Sequence, residues 1–220
     1  MNPLQFVKNL YDPAYMQGLI HSGGVPLIAA IVFAETGLLV GFFLPGDTML
    51  FLSGVAAGSL GPNGQPWLDI GVLVPALIAA AIVGDQSGYW LGKQTGHAIF
   101  TRAEGRFFKR ENAVKAHELC VKYGVWAVVF AKFAPVFRTF VPFMAGVGEM
   151  PYRRYLLVDS VAVVGWICLI VLTGYGLGTN PYTQKYLGYI IVGIAAVSML
   201  PMAIGILREV IVSLGRKGPS

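Results

Sequence analysis

The chain has little charge, little cysteine and little histidine, and each scarcity removes a class of protein. Only 12% of its 220 residues are charged and 55% are hydrophobic, whereas a soluble domain carries roughly 25% charged residues. That balance excludes an ordinary soluble fold and points to an integral membrane protein of one domain. Cys120 and Cys168 form no CxxC and share no ligand spacing with a histidine, so they read as buried free thiols. His21, His97 and His117 fall in expected loops or surface helix, so no metal site and no cofactor is expected. Gly-x-Ser-x-Gly, HExxH and a Walker-type loop are absent, and a His-dependent lipid phosphatase would lack its nucleophile. Catalysis is therefore not expected. Residues 1–24 hold one lysine, two prolines and no long apolar core, which reads as a short interfacial helix or an irregular lead-in and not as a secretory leader. The net charge of +5 reads as a topology signal, not as affinity for nucleic acid.

What the chain does have is apolar segments of unequal length. A spanning helix needs about 20 residues. Segments 68–92, 151–178 and 187–208 meet that and are expected to span. Segments 25–60 and 119–148 each contain two shorter apolar arms joined by a Pro-marked bend, at Pro45-Gly46 and at Pro135, with Pro142 further on. These read as re-entrant hairpins that enter and return on one side. Irregular backbone at membrane depth persists only where protein or a watery cavity covers it.

An internal repeat supports this division. Ser87-Gly88-Tyr89-Trp90-Leu91-Gly92 resembles Thr173-Gly174-Tyr175-Gly176-Leu177-Gly178, and the interval from Pro45 to Tyr89 nearly equals that from Pro135 to Tyr175. Each half thus reads as a hairpin followed by a spanning helix. Lys93, Arg102, Arg106, Lys109, Arg110, Lys115 and Lys122 lie in and beside the 93–118 segment, Arg153 and Arg154 follow the second hairpin, and Arg208, Arg216 and Lys217 end the chain. Loop 61–67 has no charge. An excess of Lys and Arg marks the cytoplasmic side. All three basic regions are cytoplasmic only if both hairpins return to their starting sides, one from outside and one from inside. The expected fold is therefore an all-α polytopic membrane protein, an inverted repeat of two re-entrant hairpins with their spanning helices plus a C-terminal spanning helix. The expected location is the bacterial cytoplasmic (inner) membrane with a cytoplasmic C-terminus. Gly84, Gly88, Gly92 and Gly96 form a small-residue stripe suited to close helix approach, within one chain or in a homo-oligomer.

The ionised residues inside apolar stretches carry the functional signal. Glu35 and Asp47 lie in the first hairpin, Lys132 and Arg138 in the second. A charge in hydrocarbon costs about 2.5–3.5 kcal/mol by insertion scales, so each needs a partner, water or a task. Two bases opposite two acids suit an anionic head group and a proton. Arg138 offers a planar fork for phosphate and Lys132 a point charge. Asp47 also suits a helix cap, and Glu35 a structural pair with Arg138 or Lys132. Asp85 and Asp159 are secondary candidates that cap, pair or face a vestibule. Tyr89 lies in the repeated motif, and Trp166, with the phenylalanines around Arg138, is expected in packing or an acyl-chain groove.

These motifs resemble the DedA family, the bacterial branch of the VTT (SNARE-associated Golgi protein) superfamily. The resemblance runs from about Val25 to Leu207. It rests on Glu35-Thr36-Gly37, Phe43-Leu44-Pro45-Gly46-Asp47-Thr48, Gly84-Asp85-Gln86-Ser87-Gly88-Tyr89 and the stretch from Lys132 to Gly146, with Met150, Arg153 and Trp166 beyond. It implies opposed re-entrant hairpins and proton-gradient-dependent lipid translocation. Bacterial members are associated with returning undecaprenyl phosphate to the cytoplasmic leaflet, some relatives move phosphatidylethanolamine, and eukaryotic relatives scramble phospholipids. The family's acids fall on Glu35 and Asp47, and its two arginines on Lys132 and Arg138. Lys132 departs from the pattern, since it keeps the charge but loses the fork.

The expected function is thus a proton-linked flippase for undecaprenyl phosphate, with Arg138 and Lys132 holding the phosphate while Glu35 and Asp47 compete for them. Partners are the lipid phosphate, protons and membrane lipids. A phosphatidylethanolamine translocase or scramblase, a non-transporting envelope scaffold and a small-cation/proton antiporter remain as alternatives.

Overall fold

A computed structural model describes residues 13–38, 46–61, 63–101, 124–132 and 135–180. The described residues form six helices: α1 Pro13–Gly37, α2 Gly46–Gly58, α3 Ile70–Thr101, α4 Val125–Ala131, α5 Pro135–Val147 and α6 Tyr152–Thr179. They contain no strand, only one isolated bridge between Leu60 and Pro66 in the turn before α3. The bend at Pro45 and the expected spanning segment 187–208 lie outside the described residues.

Length separates the helices into two kinds. Within α3, Ile70–Thr95 is apolar over 26 residues, and α6 is apolar over 28. At about 1.5 Å per residue both exceed a hydrocarbon core of about 30 Å. Helices α2 and α5 have 13 residues each and α4 has 7, so none of these three reaches across by the same measure. Helix α1 starts well before residue 25, where the hairpin was expected to begin. It is kinked at Gly24, whose φ of 55° lies in the left-handed region that glycine tolerates. Pro26 then lacks the N–H that would bond back to Ser22. The expected boundary between lead-in and hairpin is a kink within one helical stretch.

A correction applies to Pro142. It was read as a hairpin bend, but it lies buried inside α5, against Gly88 of α3. Packing against a glycine leaves room for the ring, and the missing N–H removes the helical bond to the carbonyl of Arg138.

The halves exchange their partners. Helix α2 of the first half packs chiefly along α6 of the second, and α5 of the second half along α3 of the first. Both crossings use the same backbone atoms. A Cβ added to Gly58 would strike the Tyr175 carbonyl oxygen and crowd the backbone of Thr179 and Gly178. A Cβ added to Gly146 would strike the Tyr89 carbonyl oxygen and crowd Lys93 and Gly92. Tyr89, Gly92 and Lys93 stand in one repeated motif where Tyr175, Gly178 and Thr179 stand in the other. Gly84 meets Thr36 and Gly37 of α1, so the small-residue stripe of α3 serves α1 and α5 of its own chain from Gly84 to Gly92.

Helix α2 is buried on nearly every side, which explains why its sequence shows no polar face. Its Met49, Leu50, Phe51 and Leu52 join Leu73 and Leu77 of α3 and Val163, Ile167 and Val171 of α6 in the larger core. A smaller core surrounds Tyr89, Val128, Ala145, Met150 and Tyr155. The outer faces of α3 and α6 expose Val72, Val83, Leu157, Val161, Leu169 and Leu172, as a lipid-facing surface requires.

Candidate functional site

Six charged side chains, one from each of the six helices or its cap, meet in the interior, in two groups. Glu35 lies near the end of α1, Asp47 in the first turn of α2 and Arg138 in the first turn of α5. Arg138 donates from Nη2 to Glu35 Oε1 and from Nη1 to Asp47 Oδ1. Its guanidinium carbon lies 4.8 Å from the ring centroid of Trp166 on α6. Arg138 is 4% exposed, and its Nε and Glu35 Oε2 have no hydrogen-bond partner among the described residues. Gly46 is what allows this approach, because a Cβ there would collide with Glu35 Oε2. The Pro-Gly-Asp order therefore has a local logic: glycine admits the carboxylate of Glu35, and the next residue supplies the second.

The other group is centred on Lys132, which caps the C-terminus of α4 and is 3% exposed. A cation there also suits the helix dipole. Its Nζ donates to Asp85 Oδ2 of α3 and lies 2.9 Å from Asp159 Oδ1 of α6. Both aspartates are fully buried. Gln86 Nε2 donates to Asp159 Oδ2 at 3.2 Å, and the Tyr155 hydroxyl reaches the Asp85 carbonyl at 3.4 Å. Tyr155 stacks on Tyr89 at 4.7 Å, and the Tyr89 hydroxyl donates to the Met150 carbonyl at 2.6 Å.

The geometry changes the expected partnership. Glu35 and Asp47 were expected to compete for both cations, but they share Arg138. Lys132 belongs instead to Asp85 and Asp159, which were secondary candidates. Lys132 ends α4 and so projects from a different helix than Arg138, toward the α3–α6 side. Sequence reasoning missed Gln86 and Tyr155 and did not assign Trp166 to Arg138. Gln86 and Trp166 lay within the quoted motifs, whereas nothing local marked Tyr155. Pro135 starts α5. Among the described residues no three His, Cys, Asp or Glu side chains converge as metal ligands.

Each group places one cation between two carboxylates. Leaving a buried ion pair with one partner removed costs about 3–5 kcal/mol, so these pairings fix how α1, α2 and α5 meet and how α3, α4 and α6 meet. With all groups ionised, each set carries one surplus negative charge.

An all-helical apolar scaffold that encloses paired charges from both of its halves is the architecture of a polytopic membrane protein with a polar centre. Residues 44–176 match the VTT domain, and the chain belongs to the VTT-domain family that includes DedA. It is 39% identical over 203 residues to Protein DedA of Escherichia coli K12, covering 91% of each chain. It is 38% identical over 205 residues to an uncharacterized membrane protein of Mycobacterium tuberculosis, covering 92% of this chain and 88% of that one. It is 24% identical over 188 residues to Inner membrane protein YghB of Escherichia coli K12, covering 86% of this chain and 83% of that one. No solved structure matches.

Proposed function

We propose that this protein is a proton-linked translocator of undecaprenyl phosphate or a closely similar lipid phosphate in the cytoplasmic membrane. The observation that carries the reading is the state of Arg138. A guanidinium buried in an apolar interior, backed by an indole ring, is held by two carboxylates from separate helices. Two oxygens on two Nη atoms is also how phosphate meets an arginine fork. Glu35 and Asp47 occupy the positions that phosphate oxygens would take. Protonation of these acids frees the fork for the head group, and their ionisation returns them to it and expels the lipid. The prenyl tail stays among the exposed apolar side chains, where Phe137, beside Arg138, faces outward.

The surplus of acids favours a second reading, exchange of a small cation for protons without a lipid substrate. It leaves the fork of Arg138 with a structural role only.

The test is reconstitution in liposomes with undecaprenyl phosphate in one leaflet, followed to the other leaflet with and without a proton gradient. Gradient-sensitive movement, reduced to the protein-free level by Arg138→Ala, is the expected outcome. Movement indifferent to the gradient points to scrambling, and movement of phosphatidylethanolamine alone reassigns the substrate. Cation-driven proton flux in lipid-phosphate-free vesicles, without lipid movement, replaces the proposal with the second reading.

A further inference from the structure

We propose that Asp85, Lys132 and Asp159 form a proton-binding centre of their own, separate from the Arg138 group, in which Lys132 is the fixed counter-ion of two aspartates and not a ligand of the lipid phosphate. The inference rests on the translocator reading only where it assigns the phosphate to Arg138; the proton site stands on the geometry of the triad.

Four observations lead to it. First, the ammonium of Lys132 already lies between the two carboxylates, in the place a bound cation would take. A small exchangeable ligand is therefore a proton, not a metal ion. Second, both aspartates keep one buried oxygen without a hydrogen-bond donor, and the two oxygens differ in their surroundings. Asp159 Oδ1 is in ion-pair contact with Lys132 Nζ at 2.9 Å, and its Oδ2 accepts from Gln86 Nε2. Asp85 Oδ2 accepts from Lys132, while its Oδ1 is buried with no hydrogen-bond partner among the described residues. A lone carboxylate oxygen in an apolar interior is costly to leave ionised. Third, Gln86 Oε1, on the neighbouring residue, is also a buried acceptor with no donor among the described residues. A proton on Asp85 Oδ1 turns an unsatisfied acceptor into a donor in a place that lacks donors. Fourth, Arg138 and Tyr155 are the other ionisable groups that act on the pair, from α5 and α6, while Tyr89 stands behind Tyr155 on α3. Neither tyrosine supplies a positive charge to balance the second aspartate.

The balance is simple. A hydronium on one side gives up one proton, an O–H bond forms at Asp85 Oδ1, and the triad passes from one surplus negative charge to neutrality. Breaking that bond toward the other side restores the anion. Arg138 lies within electrostatic reach of Asp85, so discharging Asp85 makes the surroundings of Arg138 more attractive to an anion. Linkage is reciprocal, so phosphate at Arg138 favours the protonated triad in turn. Proton uptake and lipid-phosphate binding are thereby coupled through space, with no shared ligand.

The experiment is infrared difference spectroscopy on acidification of the full chain in lipid, reading the carboxylic-acid carbonyl stretch. Asp85→Asn and Asp159→Asn each leave one anion for Lys132, a neutral pair that retains the fold. Both are expected to delete the same carboxylic component, while Glu35→Gln leaves that component in place. An unchanged component in both Asn variants overturns the proton centre. Undecaprenyl phosphate is titrated onto the same samples. Binding is expected to tighten in Asp85→Asn, which holds the triad discharged, and to stay within about threefold of the parent, less than 1 kcal/mol, in the double variant Lys132→Gln with Asp159→Asn. A loss in the double variant as large as in Arg138→Ala overturns the separation of Lys132 from the phosphate. If the parent itself binds no undecaprenyl phosphate, the translocator reading falls, and the infrared result still decides the proton centre.

Discussion

Arg138 and Gly46 carry the most specific expectations at the scale of single residues. Arg138→Lys keeps the charge but offers one nitrogen where the guanidinium offers two, so it cannot hold Glu35 and Asp47 at once by separate Nη atoms. We expect the variant to fold and to move undecaprenyl phosphate more slowly by on the order of tenfold, or about 1.4 kcal/mol; parental rates would mean the fork is not used. Gly46→Ala places a methyl where the Glu35 carboxylate lies. Overpacking of this kind costs about 1–3 kcal/mol. The expected outcome is a lower melting temperature together with loss of transport, because Glu35 leaves Arg138. A melting temperature and transport rate equal to the parent would show that Glu35 has another position available. Glu35, Asp47 and Arg138 were legible as a group because each is a charge in an apolar run. Which acids belong to which base was not legible. Lys132 and Asp85 are separated by 47 positions and Arg138 and Glu35 by 103, and only the path of the helices decides those pairings.

Among the helices, the two crossings of α2 on α6 and α5 on α3 make a matched pair. Gly58→Val and Gly146→Val each push side-chain atoms into a backbone carbonyl of the facing helix, and a helix backbone does not yield as a flexible side chain does. We expect each to lower stability by about 1–3 kcal/mol or more, in similar measure, in thermal unfolding followed by circular dichroism in detergent. Loss at one position and none at the other would mean that the symmetry of contacts is not a symmetry of energy. The repeat behind this was readable in advance, since Gly-Tyr-x-Leu-Gly occurs twice. That each motif packs on the hairpin of the other half was not readable, because a glycine announces a close approach without naming the partner. Gly24 and Pro26 are residues that usually end a helix, and the backbone leaves helical geometry at Gly24, between the two helical parts of α1.

For the whole molecule, helix length and charge placement decide how the two halves face the membrane. Helices α2, α4 and α5 are too short to cross by themselves, so the hairpins α1–α2 and α4–α5 are expected to dip in and return. The ends of the long helices then carry opposite signals. The turn before α3, around Asn63, has no Lys or Arg, whereas Arg153 and Arg154 begin α6. If basic loops stay inside, Asn63 and Arg153 lie on opposite sides, with α3, the basic segment after it and the second hairpin between them. That requires α3 to cross once and α4–α5 not to cross at all. Single cysteines at positions 63 and 153, in a chain whose Cys120 and Cys168 are replaced by serine, give a direct reading with a membrane-impermeant thiol reagent on whole cells. Labelling at 63 before lysis and at 153 only after lysis is the expected result. Labelling of both positions from outside would require the second hairpin to cross. The basic region before it would then be cytoplasmic and Arg153 would not, and the inverted repeat would lose its orientation.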